Sequence, residues 1–195
     1  RRVSAPVDMP AAERLQAMLD KQEITELVYR MARAVDRCDA TLMAELFHPD
    51  ATDDHGMFKG EARDFVPWVM EVLAGMKVTQ HLIGNVLIML DGDRASAETY
   101  FVAHHVIAAD QGGIFLAAKA GDPDQFMLAG GRYLDRFEKR DGVWRFSHRH
   151  AVYDWNAEGP STETWDRAAL DGWAFGKRGA ADPSYACLRA ARAKD

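Results

Sequence analysis

The sequence predicts an α+β fold, with N-terminal helices packed on a strongly bent antiparallel sheet. Three observations carry this expectation. Apolar residues recur at helical spacing through the first part of the chain, the spacing changes to strict alternation from Val78 onward, and the turn signals Asp91-Gly92-Asp93 and Asp141-Gly142 divide the alternating part into hairpins. With 195 residues, 48% of them hydrophobic, the chain is long enough for one domain with a substantial core.

Residues 1–11 carry Pro6 and Pro10 and no periodicity, so they are expected to form a flexible arm. From Ala11 to about Arg37, Ile24, Leu27, Val28, Met31 and Val35 recur three and four residues apart, which makes a helix with one apolar stripe. At about 100° per residue, Asp36 lies beside Ala32 on the flank of that stripe, and Tyr29 lies on the same flank nearer the start. A flank residue can look into a cavity beside the core. Thr41–Phe47 is a second, short helix closed by His48-Pro49, because the residue before proline disfavours helical backbone. Ala51–Lys59 is a strand candidate with Asp53 and His55 on one face, followed by a turn at Gly60. Phe65, Val69, Val72, Leu73 and Met76 mark a third helix, which tolerates Pro67 if Asp64 is the cap and the proline falls in the first turn.

Val78–Leu90 and Ala95–Ala109 form the first long hairpin, the second strand rich in Tyr100, Phe101, Val102, Val106 and Ile107. Asp110–Gln125, with Gly112-Gly113 and Gly121-Asp122-Pro123, is a long loop with a helical turn around Phe115–Lys119, and loops of this length often act as lids. Phe126–Arg140 and Val143–Trp155 form the second hairpin, and Asp141-Gly142 fits a two-residue turn. Such a turn puts Glu138 opposite Arg145, Phe137 opposite Phe146, Leu134 opposite Arg149 and Tyr133 opposite His150. These elements make one domain over residues 12–156. Residues 157–195 form a C-terminal extension, in which a helical segment carries Trp165, Trp173 and Phe175 and needs a surface to cover. A long helix on one face of a bent sheet encloses a cone open at one end.

Charge and cysteine content narrow the function. A net charge of −6 argues against a phosphate-tracking surface, so no nucleic-acid partner is expected. Cys38 and Cys187 fit no metal-ligand spacing, which favours a reducing, cytoplasmic setting, although a disulfide between them stays open. No run approaches the roughly 18 apolar residues of a membrane span, and the N-terminus lacks the apolar core of a signal peptide.

Two ionisable residues stand out against the pattern. Asp36, read alone, is a helix-end carboxylate that is solvated or paired with Arg33 or Arg37. His81, in Thr79-Gln80-His81-Leu82-Ile83-Gly84-Asn85, opens a run of Leu, Ile, Val and Met that should be interior, and alone it reads as a core histidine bonded to a backbone carbonyl. Brought together they form a carboxylate–imidazole dyad, in which the carboxylate sets the tautomer and stabilises the imidazolium while the other ring nitrogen takes a proton from carbon. Asn85 shares the face of His81 by the period of two, to bind either substrate or a buried backbone group. Arg149 is either a surface charge of the sheet or, facing the cavity, a stabiliser of a leaving oxygen, a halide or an enolate. His55 and His105 are candidate polar groups of the cavity, Tyr133 and Trp155 are lining, and Met31, Val35, Ile83, Leu87 and Phe101 form apolar walls. The 7 histidines show no His-x-x-x-His on a helix and no compact ligand set, so no metal is expected.

The order of Ala34-Val35-Asp36-Arg37-Cys38-Asp39, His48-Pro49-Asp50-Ala51, Thr79–Asn85 and Gly130-Gly131-Arg132-Tyr133, leading to Arg140-Asp141-Gly142-Val143-Trp144-Arg145-Phe146, resembles the SnoaL-like branch of the NTF2-like (cystatin-like) superfamily over residues 12–156. Within it the chain is most similar to the hexachlorocyclohexane dehydrochlorinase, bile-acid 7α-dehydratase and scytalone dehydratase type. The resemblance implies an Asp-His dyad that needs no cofactor, with the helix aspartate at Asp36 and the strand histidine at His81. The dehydrochlorinase arginine falls at Arg149. The helix tyrosine of the dehydratases is replaced by Met31, with Tyr29 as a nearby substitute. The function implied is a dehydratase-type lyase acting on a small to medium apolar molecule, polycyclic, steroid-like or polyketide-like. A polyketide cyclase or isomerase with the same dyad is an alternative, as is a noncatalytic binding or assembly subunit like the small subunit of ring-hydroxylating dioxygenases. The resemblance also implies a homo-oligomer, trimeric or dimeric.

Overall fold

The computed structural model describes residues 10–109 and 123–190. Most of the N-terminal arm, the helical turn expected at Phe115–Lys119 and the end of the C-terminal extension lie outside the described residues. Helix α1, Ala11–Arg37, buries Ile24, Leu27, Val28 and Met31 of the predicted stripe, with Ala34 buried at its end and Val35 half-buried. It also buries Asp20, which accepts from Trp144 Nε1 and Lys139 Nζ, each at 2.9 Å, and so ties the helix to the far hairpin. The helix ends with Cys38 in the left-handed region at φ 50°. There the Cys38 N–H bonds the Val35 carbonyl at 3.1 Å and the Asp39 N–H bonds the Ala34 carbonyl at 2.9 Å, a Schellman closure. Asp39 then caps α2, Ala40–Leu46, by accepting from the Leu42 N–H at 2.9 Å.

Strand β1 covers Phe47–Asp54 and so starts earlier than the alternation suggests. Phe47 leaves the helix because its ring packs on Phe146, 5.6 Å between centroids, in the core of the sheet. The expected continuous strand through Lys59 is broken: His55–Phe58 form a turn, with the His55 N–H on the Phe58 carbonyl at 2.9 Å, before the short β2, Lys59–Glu61. Helix α3 runs Ala62–Ala74, which puts Asp64 inside the first turn rather than at the cap and Pro67 in the second turn. The proline is exposed, so water can serve the carbonyl it leaves without a donor.

The remaining strands are β3, Met76–Asp91; β4, Arg94–Ile107; β5, Gln125–Arg140; and β6, Val143–Pro160. They form one sheet in the order β2-β1-β6-β5-β4-β3, antiparallel throughout except for the parallel pair β1–β6. Asp141 at φ 51° and Gly142 at φ 78° make the tight turn between β5 and β6. Glu138 faces Arg145 and Phe137 faces Phe146 as predicted, but the register shifts between Arg136 and Phe137. Leu134 therefore faces His150, Tyr133 faces Ala151, and Arg149 is carried opposite Asp135. A second irregularity falls between Ile83 and Val86 in β3. At Gly131 an added Cβ would lie 2.1 Å from the Val152 carbonyl oxygen, so the close approach of β5 and β6 there requires glycine.

Residues 161–178 form no helix, contrary to expectation; Trp165 and Phe175 pack on each other, 5.7 Å between centroids. Helix comes later, as α4, Pro183–Ala190. This segment docks on the end of α1 through Arg37–Asp182 at 2.8 Å, Arg33–Ser184 at 2.8 Å and Tyr185–Asp39 at 2.6 Å. Cys38 and Cys187 are both free thiols. No helix among the described residues is long and apolar enough to cross a membrane.

Candidate active site

The end of α1 and the start of β3 meet at Asp36 and His81. The His81 N–H donates to Asp36 Oδ2 at 2.9 Å, and His81 Nδ1 lies 2.7 Å from Asp36 Oδ1. The carboxylate is thus held at both oxygens, and Nε2 is the ring nitrogen left for chemistry. Both side chains are largely withdrawn from water, His81 at 9% and Asp36 at 13% exposure. Arg178, from the C-terminal segment, donates to the Asp36 carbonyl at 2.9 Å, to the Thr79 hydroxyl and to the Met76 carbonyl at 3.0 Å, so one guanidinium braces the backbone on both sides of the pair.

His81 borders a cavity of about 580 Å³ between α1, α3 and the inner face of the sheet, with walls that include Met31, Val35, Phe65, Trp68, Phe101 and Met127. A larger groove of about 680 Å³ runs outside the cone, between β3, β4 and the C-terminal segment, and His81 does not reach it. The inner cavity is the candidate site, because there a buried acid–base pair meets an apolar chamber.

His105 presents its ring edge-on to His81, 5.5 Å between centroids. Burial, and after it the charge of His81, lowers the His105 pKa to about 4, so its ring is neutral at pH 7, and its buried Nδ1 has no protein partner. Arg149 is buried and borders the cavity, but its Nε and Nη2 are engaged by Asp135 at 2.9 and 2.8 Å. Burial opposes the guanidinium charge, yet Asp135 outweighs it and holds the group above its ordinary range. Arg149 also stacks on Tyr133, 4.1 Å from the ring centroid. Tyr133 is buried against Phe101, 4.3 Å between centroids, and burial pushes its hydroxyl well above the usual phenol range.

His55 borders the same cavity from the turn after β1, stacked on Phe65 at 4.8 Å, with its Nδ1 hydrogen-bonded to Asp53 Oδ1. Asp53 was placed on the face of His55 by the alternation, but its role as partner was not read from it. The signal was there: residues two apart at the end of a strand point the same way, and an aspartate so placed can hold the ring.

Two expected site residues lie elsewhere. Tyr29 is 50% exposed and does not line the cavity. It shares the flank of Asp36, but seven residues of helix are about 10 Å of rise, and the cavity spans only the end of α1. Asn85 is exposed, because the irregularity between Ile83 and Val86 breaks the period of two and returns Val86 and Ile88 inward in its place. The same break turns Leu87, expected in the wall, outward to 61% exposure.

A curated relative, an uncharacterised protein of Mycobacterium tuberculosis, is 28% identical over 133 residues, which cover 67% of this chain and 82% of that protein. Among solved structures, a hexachlorocyclohexane dehydrochlorinase superposes with a TM-score of 0.63 at 18% identity, covering 74% of this chain and 91% of its own. A candidate scytalone dehydratase from Novosphingobium aromaticivorans gives 0.58 at 20% identity, covering 72% of this chain and 88% of its own. At such identities these structures establish the shared α+β cone alone. The family model of the SnoaL-like domain matches residues 16–150, which include most of α1, Asp36, His81 and all but the end of the sheet, and the chain therefore belongs to the SnoaL-like domain family within the NTF2-like fold.

Proposed function

We propose that the protein is a cofactor-independent lyase of the dehydratase type. The observation that carries this reading is the His81 Nδ1–Asp36 Oδ1 contact of 2.7 Å at the wall of an apolar cavity. Asp36 keeps the proton on Nδ1, so His81 Nε2 acts as the base toward a C–H made acidic by a neighbouring carbonyl. As the imidazolium forms, the adjacent carboxylate stabilises it, as in other Asp-His pairs. Arg149 adds positive charge at the wall where an enolate or a leaving oxygen develops. A chamber of about 580 Å³ suits a small to medium polycyclic, steroid-like or polyketide-like molecule. The shared cone with a dehydrochlorinase supports the reading, since that enzyme's named reaction is also an elimination.

Thermal-shift screening against steroids, terpenes and aromatic polyketides, followed by mass analysis for loss of water, identifies the substrate class. On a ligand so found, the wild-type protein is expected to exchange the acidic C–H for deuterium from solvent. Asp36→Asn and His81→Ala are each expected to abolish that exchange with the fold intact by circular dichroism. Retained exchange in either variant would reject its role. Cyclisation and isomerisation begin with the same proton abstraction and are separated by product analysis, whereas a noncatalytic binding subunit would show ligand binding without exchange.

A further inference from the structure

We propose that His55, backed by Asp53, is the general acid of this reaction: a second carboxylate–imidazole pair that faces the cavity away from His81 and protonates the departing hydroxyl. The proposal rests on the lyase reading above and supplies what that reading lacks, since Tyr29 is outside the site.

Asp53 is buried, with one oxygen on His55 Nδ1 and the other without a partner. A carboxylate so enclosed needs a compensating positive charge. The nearby guanidinium of Arg149 spends Nε and Nη2 on Asp135, which is itself buried. Asp53 thus has no guanidinium bonded to it, and His55 is the group beside it that can carry a balancing proton. With Nδ1 held by Asp53, Nε2–H is the donor that can meet a ligand.

Position fits the role. His55 follows β1 and His81 lies in β3, strands that β6, β5 and β4 separate in the sheet. Tyr133 of β5 and Phe101 of β4 lie between them as a stacked pair, with the His55 ring 6.1 Å from that of Tyr133. A flat apolar substrate resting on this pair lies between His81 and His55, so that the two rings approach one of its C–C bonds from opposite sides. Tyr133 and Tyr153 also line the cavity, but burial raises the pKa of both hydroxyls and makes them poor acids.

The step balances. His81 Nε2 takes the proton from the carbon next to the carbonyl, and the C–H electron pair moves onto the carbonyl as an enolate. The enolate collapses to form the C=C bond and breaks the C–O bond to the β-hydroxyl, whose oxygen keeps the bonding pair and takes the Nε2 proton of His55. Water leaves; His81 gives its proton to solvent and His55 regains one from it.

The test uses the full chain, a panel of cyclic β-hydroxyketones from bicyclic to steroid size, and the matching β-chloroketones, whose chloride leaves without protonation. His55→Gln is expected to slow dehydration by roughly 100-fold or more, to keep deuterium exchange next to the carbonyl, and to eliminate chloride at near the wild-type rate. His81→Ala is expected to lose exchange and both eliminations. Nitrogen-15 NMR of the free protein should show both ring nitrogens of His55 protonated, with the second proton lost in Asp53→Asn while the His81 signals stay. Undiminished dehydration in His55→Gln would overturn the proposal, as would equal losses on hydroxy- and chloroketone or a His55 ring without its Nε2 proton in the wild type. Absence of exchange in the wild type would instead sink the lyase reading, and the NMR result would still judge the Asp53–His55 pair.

Discussion

Asp36 and His81 each violate their surroundings, as a carboxylate beside an apolar stripe and an imidazole at the head of an apolar strand. That they meet depends on the crossing of α1 and β3, which no local pattern encodes. His105 was legible as an inward group but not in its charge state, which burial decides. That state has a measurable consequence. The unfolded chain takes up a proton on this residue near its ordinary pKa of 6.5, whereas the folded chain does so only near 4. Between those values the unfolded state binds more protons, so the contribution of His105 is harmless above about pH 6.5 and costs stability as pH falls toward 4. The shift corresponds to about 3 kcal/mol at its limit. Urea unfolding of wild type and His105→Gln at pH 7.5 and 4.5 is expected to show a smaller loss in the variant. Equal losses would mean that the ring is not held neutral.

Among elements, the N-terminal helices and the two long hairpins follow from periodicity and turn chemistry, whereas the helix expected at Trp165–Phe175 is absent and the site residues depart from expectation where strands change register. The irregularity at Gly84-Asn85 and the shift after Arg136 each flip the residues beyond them, so Asn85 turned outward and Arg149 came to face Asp135. Such insertions are chosen by the curvature that the packed sheet needs, and neither alternation nor propensity reports it. The link between α1 and the β5–β6 hairpin was equally hidden, because Asp20 looks like a solvent-facing helix residue. In the fold it accepts from buried Trp144 Nε1 and from Lys139. Asp20→Ala strands the indole N–H and is expected to lower unfolding free energy by about 1–3 kcal/mol without changing ligand binding. A double-mutant cycle with Trp144→Phe should return coupling; additive losses would show that the contact carries no stability.

For the molecule as a whole, the matched family stretch ends at residue 150, yet the chain beyond it is bound into the site. The backbone carbonyls of Asp36 and Met76 and the hydroxyl of Thr79 converge on the guanidinium of Arg178. These groups flank the dyad on both of its elements, so losing the guanidinium frees the α1 end to shift against β3. A displacement of this kind is felt in rate before it is felt in stability, because proton transfer depends on sub-ångström placement while the surrounding core is unchanged. Arg178→Met is therefore expected to reduce deuterium exchange by roughly 10- to 100-fold with little change in ligand affinity. Asp182→Asn provides the control: it loosens the same segment at Arg37, 2.8 Å away, without touching the dyad's backbone. If both variants slowed exchange equally, docking of the segment in general would be responsible. If Arg178→Met exchanged at the wild-type rate, the brace would have no part in the chemistry.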